Sequence, residues 1–211
     1  MLRKIGEEGK GTGQQHDAID ITLEDLKRLY SHVLAFNTDT PQALLNKTVF
    51  EIILYFCRRG QENLPHLKLS DFQIGVDDNG TKVVEKTKSE LTKNYQGTSN
   101  EEEGTVGTMF ATGTPSGPVA SLEKYILKRN NETDMLFLHP RNSYMENDSV
   151  WYRNEPVGKN TLQHLMKNLA KLVGLSKEYT SHCITYTCIT LHGYCGFQSR
   201  HIKTISGHRQ K

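Results

Sequence analysis

DFQIGVDDNGTKVVEK, residues 71–86, decides the fold class. Two short runs containing Ile, Val and Phe flank a cluster of Asp, Asn and Gly. Asn79-Gly80 supplies the positive φ that a tight hairpin turn needs. The stretch therefore reads as a β-hairpin. A polar segment containing Glu101, Glu102 and Glu103 separates it from a third short strand, VGTMFAT at 106–112. Further on, MLFL at 135–138 reads as another strand, followed by a loop over 139–158 that holds the only tryptophan, Trp151.

Outward from this sheet the period changes from two to that of a helix. Upstream, Thr22 with Asp25 makes a capping-box-like start to a helix whose apolar residues are Leu23, Leu26, Leu29, Tyr30, Val33 and Leu34. Thr40-Pro41 opens a second helix through Leu45, Val49, Ile52, Ile53 and Phe56 toward Arg59-Gly60, with Thr40 as its cap. That helix is apolar over most of its circumference and is predicted to be central. Downstream, Gly117-Pro118 opens a helix with Val119, Leu122, Tyr125 and Ile126 on one side. Asn160 is placed to cap a helix carrying Leu162, Leu165, Met166, Leu169, Leu172 and Val173, and Ser181 to cap another running to Cys195. FQSRHIKTIS, residues 197–206, reads as a last helix that Gly207 ends. Helices, a small antiparallel sheet and helices again give a mostly α, or α+β, chain without internal repeats.

Composition bounds the function. The 211 residues are 36% hydrophobic and 24% charged, with a mean hydropathy of -0.59, which suits a single globular domain. No apolar run reaches the roughly 18 residues of a membrane span. Residues 1–19, rich in Gly and charge and without an apolar signal core, read as a disordered leader, and residues 20–211 as the domain. The four cysteines, Cys57, Cys183, Cys188 and Cys195, match no secreted disulfide framework, which points to a reducing, intracellular compartment; the last three match no zinc spacing, and Cys188 and Cys195, seven apart on one helix face, read as buried reduced thiols. Neither a metal nor a cofactor is expected. The net charge of +2 hides an asymmetry: residues 159–211 hold eight Lys and Arg against one acid, Glu178, along with five His. A basic segment of this kind is the footprint of a phosphate-bearing partner or, more plainly, a solvated helical face.

Three separated stretches then carry a family resemblance: FCRRGQENLPHLKLSDF at 56–72; LTKNYQG at 91–97 with GTMFATGTPSGPVASLEKYI at 107–126; and WYRNEPVGKNTLQHLMKNLAKLVGLSKEYTSHCI at 151–184, continuing to GFQSRHIKTISGH at 196–208. In order and spacing they resemble the domain of unknown function derived from Crypton tyrosine recombinases, found in MYM-type zinc-finger proteins and in a glutamine-rich nuclear regulator. The resemblance implies a tyrosine recombinase catalytic-domain fold, helices around a small antiparallel sheet.

Such enzymes cut DNA by attack of a Tyr hydroxyl on a phosphodiester. Fixed cations stabilise the charge that develops on the phosphate oxygens, and Arg suits this because its planar fork bonds two oxygens at once. A Lys protonates the departing oxygen, and His moves protons. Carried over by the resemblance, Arg59 is the first arginine, followed by Glu62 at the family's spacing. Lys93 is the hairpin-associated lysine, His182 opens the His-x-x-Arg box, and His208 is the later histidine. Arg58, Lys167, Lys171, Arg200 and Lys203 would line the DNA.

The sequence departs from that pattern at two places. Thr185 stands where the second arginine belongs, and the nucleophilic Tyr, expected about ten residues after His208, is not matched by Tyr179, Tyr186 or Tyr194. The resemblance thus implies a catalytically defective, nuclear, DNA- or chromatin-associated module, binding DNA weakly and with little sequence preference, with nuclear proteins as further partners. Two alternatives stand beside it: a fragment of an active recombinase truncated before its Tyr, and a protein-interaction module with no nucleic-acid role. Residue by residue the plain readings also stand: Arg58-Arg59 on a helix dipole, Lys93 in solvent, His182 at a helix end, His208 on the surface.

Overall fold

The computed structural model describes residues 19–56, 63–87 and 107–194. Its centre is the helix that the apolar run around Val49 predicts. This helix, α3 (Pro41–Tyr55), follows α1 (Leu23–Ser31) and α2 (Val33–Phe36). Pro41 sits in its first turn, where the missing N–H costs no hydrogen bond. Leu44, Leu45, Val49, Phe50, Ile52 and Ile53 are buried, and α3 packs against α2, α4, α5, α6 and β4. Even its polar residues are enclosed. Lys47 and Glu51 form a buried ion pair one turn apart, and the Tyr30 hydroxyl donates to Glu51 Oε1 at 3.2 Å. Lys47 Nζ also lies 5.0 Å from the Tyr30 ring centroid, so the ammonium has both a carboxylate and a π face. Burial pushes the Glu51 carboxyl above its ordinary value, and the Lys47 charge opposes that rise.

The hairpin forms as predicted. β1 (Phe72–Val76) pairs antiparallel with β2 (Lys82–Lys86), Phe72 facing Lys86 and Val76 facing Lys82. The turn is wider than a two-residue one, and only Gly80 takes a positive φ, 79°. The Asp77 carboxylate organises it by accepting from the N–H groups of Asn79, at 2.9 Å, and Thr81, at 2.8 Å. β3 (Met109–Phe110) adds to the far side of β2, giving the order β1-β2-β3. α4 (Pro118–Lys128) follows with Val119, Leu122 and Tyr125 buried, as their spacing requires.

The expected loop over 139–158 is not all loop. β4 (Leu138–Pro140) pairs antiparallel with β5 (Tyr152–Pro156) in a second, two-stranded sheet. YRNEP gives no alternation signal, because only Tyr152 of this strand turns inward. Tyr152 anchors it: the hydroxyl donates to the Pro41 carbonyl at 2.8 Å, and the ring lies 4.7 Å from that of Tyr125. Trp151, fully buried, donates its indole N–H to the Met145 carbonyl at 3.2 Å and has the Lys128 ammonium 4.7 Å from its ring centroid.

α5 (Lys159–Val173) and α6 (Ser181–Tyr194) complete the described fold. α5 ends at Gly174, whose φ of 68° is the left-handed stop that favours glycine. Three of the expected caps differ. Thr40 holds the cap position of α3 but makes no side-chain cap bond. Gly158, not Asn160, precedes α5, so Asn160 lies inside the helix. Ser181 is the first residue of α6, and its buried Oγ has no hydrogen-bond partner. In these last two helices the backbone starts the helix one or two residues ahead of the side chain best suited to cap it. Thr22 does cap α1, accepting from Asp25 N–H at 3.2 Å.

Candidate nucleic-acid interface

α5 reads from its sequence as one apolar and one polar face, and the structure keeps that division. Leu162, Leu165, Met166 and Leu169 are buried against the core. The opposite face carries no acid anywhere along the helix; it presents Lys159, Asn160, His164, Lys167 and Lys171. Lys171 is exposed, while Lys167 is half-buried and lies 3.5 Å from Glu178 in the α5–α6 connection. Both partners of that pair are wetted, so the attraction is weak and gives way readily to a phosphate.

The same connection leads into α6 and is fastened from below. Asp25, almost inaccessible to solvent, accepts from the Tyr179 hydroxyl at 2.8 Å and from the Ser176 N–H and hydroxyl. Burial favours the neutral acid, but the bonds from Ser176 and Tyr179 outweigh it and hold the Asp25 carboxyl below its ordinary value. Ile21 N–H donates to Thr187 Oγ1 at 2.8 Å, so α1 is stitched to the middle of α6 as well. Nothing in the local sequence pattern marks this tether; Asp25 reads only as part of a cap, and its partners lie 151 and 154 residues away.

On α6, His182 is exposed in the first turn, at the positive end of the helix dipole. Thr185, one turn on, is buried together with Ile184. A threonine here offers one hydroxyl and no charge, whereas a guanidinium supplies five donors and a fixed positive charge. Of the remaining site residues read from the sequence, Arg58, Arg59, Lys93, Arg200, Lys203 and His208 lie outside the described residues, and so does the expected last helix. α3 ends under Phe56, whose ring meets that of Phe72 at 5.2 Å. Gly107 presses so closely on this helix end that a Cβ there would come within 2.3 Å of the Tyr55 carbonyl oxygen. Phe56 and Gly107 therefore lie together at the C-terminal end of α3.

One cysteine reading changes. Cys183 is a buried free thiol, but Cys188, read as a reduced one, is disulfide-bonded, its partner lying outside the described residues. Spacing in the sequence does not by itself reveal a pairing, which is why the pattern around α6 reads as thiols only. Among the described residues no group of His, Cys, Asp and Glu is placed to hold a metal.

Residues 30–171 match the family described as a domain of unknown function, DUF3504. The chain belongs to this family. No curated protein matches its sequence. Its fold is that of tyrosine recombinase catalytic domains. XerA recombinase is similar over 91% of this chain and 57% of its own, at 20% identity and a TM-score of 0.53. XerH site-specific recombinase bound to its difH substrate in a pre-cleavage complex is similar over 90% of this chain and 47% of its own, at 14% identity and a TM-score of 0.56. The Tn1549 transposon integrase in complex with transposon right end DNA is similar over 94% of this chain and 60% of its own, at 14% identity and a TM-score of 0.52. The DUF3504 chain thus spans about half the length of these recombinases, and mixed helices with a small antiparallel sheet are the part shared.

Proposed function

We propose that this DUF3504 chain is a DNA-binding domain descended from a Crypton-type tyrosine recombinase, defective in strand exchange and working in the nucleus, in the manner of the copies carried by MYM-type zinc-finger proteins. One observation carries the reading: on a recombinase-like fold, the α5–α6 surface offers Lys167, Lys171 and His182, while Thr185, which the family pattern aligns with the second arginine, is a neutral residue buried one turn after His182. Loss of one preorganised donor at a developing anion typically costs about 10²–10³ in rate. A surface that has lost such a donor still attracts phosphates through its remaining cations, since that attraction depends on charge and counterion release and not on transition-state geometry. Binding is then weak, steeply salt-dependent and nearly indifferent to sequence.

The test is a salt series of binding to a labelled generic duplex. Lys167→Ala/Lys171→Ala is expected to weaken binding uniformly across sequences and to flatten the salt slope by about one unit for each phosphate no longer neutralised. Arg59→Ala/Lys93→Ala is expected to do the same if the ancestral phosphate site still grips DNA. Absence of binding at low salt would leave a protein-interaction module as the reading. A covalent protein–DNA adduct on a nicked duplex would overturn the defective-enzyme reading instead.

A further inference from the structure

Where the first turn of α3 meets the β4–β5 sheet, the surface sinks into a cavity of about 310 Å³ with no α6 residue in its lining. Its charged walls come from the sheet: His139 lies within β4, Arg141 directly follows it, and Arg153 stands on β5. Tyr144 forms an aromatic side, and Thr40 and Gln42 border it from the helix. No Asp or Glu lines it; Asp39 pairs with Lys124 at 2.9 Å, and Glu155 pairs with Arg153 itself at 3.0 Å, an ion pair wetted on both sides and so weak enough for a dianion to compete with.

Two features make this more than a basic dent. First, the wall is preorganised. Arg141 anchors one nitrogen of its fork on the Val150 carbonyl at 3.1 Å. The loop beyond it is fixed by Met145 N–H donating to Asp148 at 2.8 Å, by the Trp151 indole on the Met145 carbonyl at 3.2 Å, and by Lys128 Nζ on the Asp148 carbonyl at 2.6 Å. Less ordering is left for a ligand to impose. Second, the 15-residue α3 points its N-terminus toward the cavity without a side-chain cap, so the positive end of its dipole adds to the side-chain charge.

We propose that this cavity binds a small phosphate monoester. Two guanidinium forks beside an imidazole and a helix end suit a dianion with three acceptor oxygens better than a singly charged carboxylate. The volume lies at the lower limit of small-molecule pockets, roughly 300–1,000 Å³, which fits a sugar- or nucleoside-sized ester and not a duplex. The Tyr144 ring offers the apolar surface such an ester needs.

The experiment is calorimetric titration of the full chain with inorganic phosphate and, separately, with a nucleoside monophosphate, at constant ionic strength maintained with chloride. Saturable one-site binding is expected, tighter for the nucleoside ester. Arg141→Gln/Arg153→Gln should weaken it about tenfold or more, two charge-assisted bonds being removed. Gln42→Glu should weaken it too, because a carboxylate in the first turn repels the ligand while suiting the helix dipole, so the fold stays intact. Lys171→Ala should leave phosphate affinity unchanged while weakening duplex binding. No saturable binding, or binding indifferent to both cavity variants, would overturn the proposal. So would displacement of phosphate by duplex DNA together with loss of duplex binding in the arginine variant, which would make the cavity part of the nucleic-acid surface.

Discussion

α5 and the α1–α2 pair read alike in the sequence and behave differently in the fold. Both carry Leu, Val, Tyr or Met at helical spacing, and both are amphipathic by that criterion. In α5 the stripe is core: Leu162, Leu165, Met166 and Leu169 are all buried. In α1 and α2 only Leu29 of the predicted face is fully enclosed, while Leu23, Val33 and Leu34 stand 66%, 65% and 57% exposed. Besides Leu29, α1 is held by polar bonds, Asp25 to Ser176 and Tyr179, with Ile21 just ahead of it on Thr187. Periodicity announces that a helix has an apolar face. Whether the rest of the chain has anything to lay against that face is decided elsewhere, by the number of elements that converge there.

The contrast is broken most severely in α5. Met166 is completely buried, so Met166→Ala leaves a void as well as losing the transfer energy of its side chain, at a cost of ~2–5 kcal/mol. For a domain of this size each kcal/mol lowers the melting midpoint by about 2–4 °C, so a scanning-calorimetry shift of well over 4 °C is expected. A smaller shift would mean that α5 is loosely seated and that its polar face is not rigidly presented.

Asp25→Asn ranks next and probes the polar fastening. A charged acceptor with a hydroxyl and an N–H donor group on it contributes about 1.5–3 kcal/mol per bond removed or weakened, and the asparagine amide keeps one acceptor, so a loss near the lower figure is expected. The pH dependence has a definite sign. The Asp25 carboxyl is held below its ordinary value in the folded chain, so its contribution is complete above the unfolded value of about 3.9 and disappears as the pH falls through the folded value. Denaturant midpoints of the parent and Asp25→Asn should therefore differ at neutral pH and converge in strong acid. A constant gap across that range would show that the aspartate acts through packing and not through charge.

These two regions also explain what was legible. α3, α4, α5 and the β1–β2 hairpin follow from local chemistry: apolar period, Pro at a first turn, Gly80 in a turn. Pairings remote in sequence do not. β5 carries one inward residue, Tyr152, and is a strand because Leu138–Pro140 lies beside it. Lys47 and Glu51 look like surface residues on a helix and are buried because five other elements close over α3. At the candidate interface, charge patterning was enough to mark Lys167 and Lys171 as part of a basic face, but not that Lys167 faces Glu178. The cavity beside α3 has no local signature at all; Arg141 and Arg153 converge only through the antiparallel pairing of β4 with β5.

The smallest effect expected is the one that isolates α1–α2 most cleanly. Leu23 and Val33 are already in water, so replacing both by Ser removes little packing and should change stability by no more than about 0.5 kcal/mol. That near-silence, set beside the large loss at Met166, would show that two stripes of equal apparent strength differ only in having or lacking a partner. The measurement has a second edge. If Leu23→Ser/Val33→Ser lowers the melting midpoint as much as Asp25→Asn does, these side chains are enclosed in solution, and α1 would then be held by apolar packing along its whole face, where the present geometry confines that packing to the side around Leu29 and adds the polar tether at Asp25.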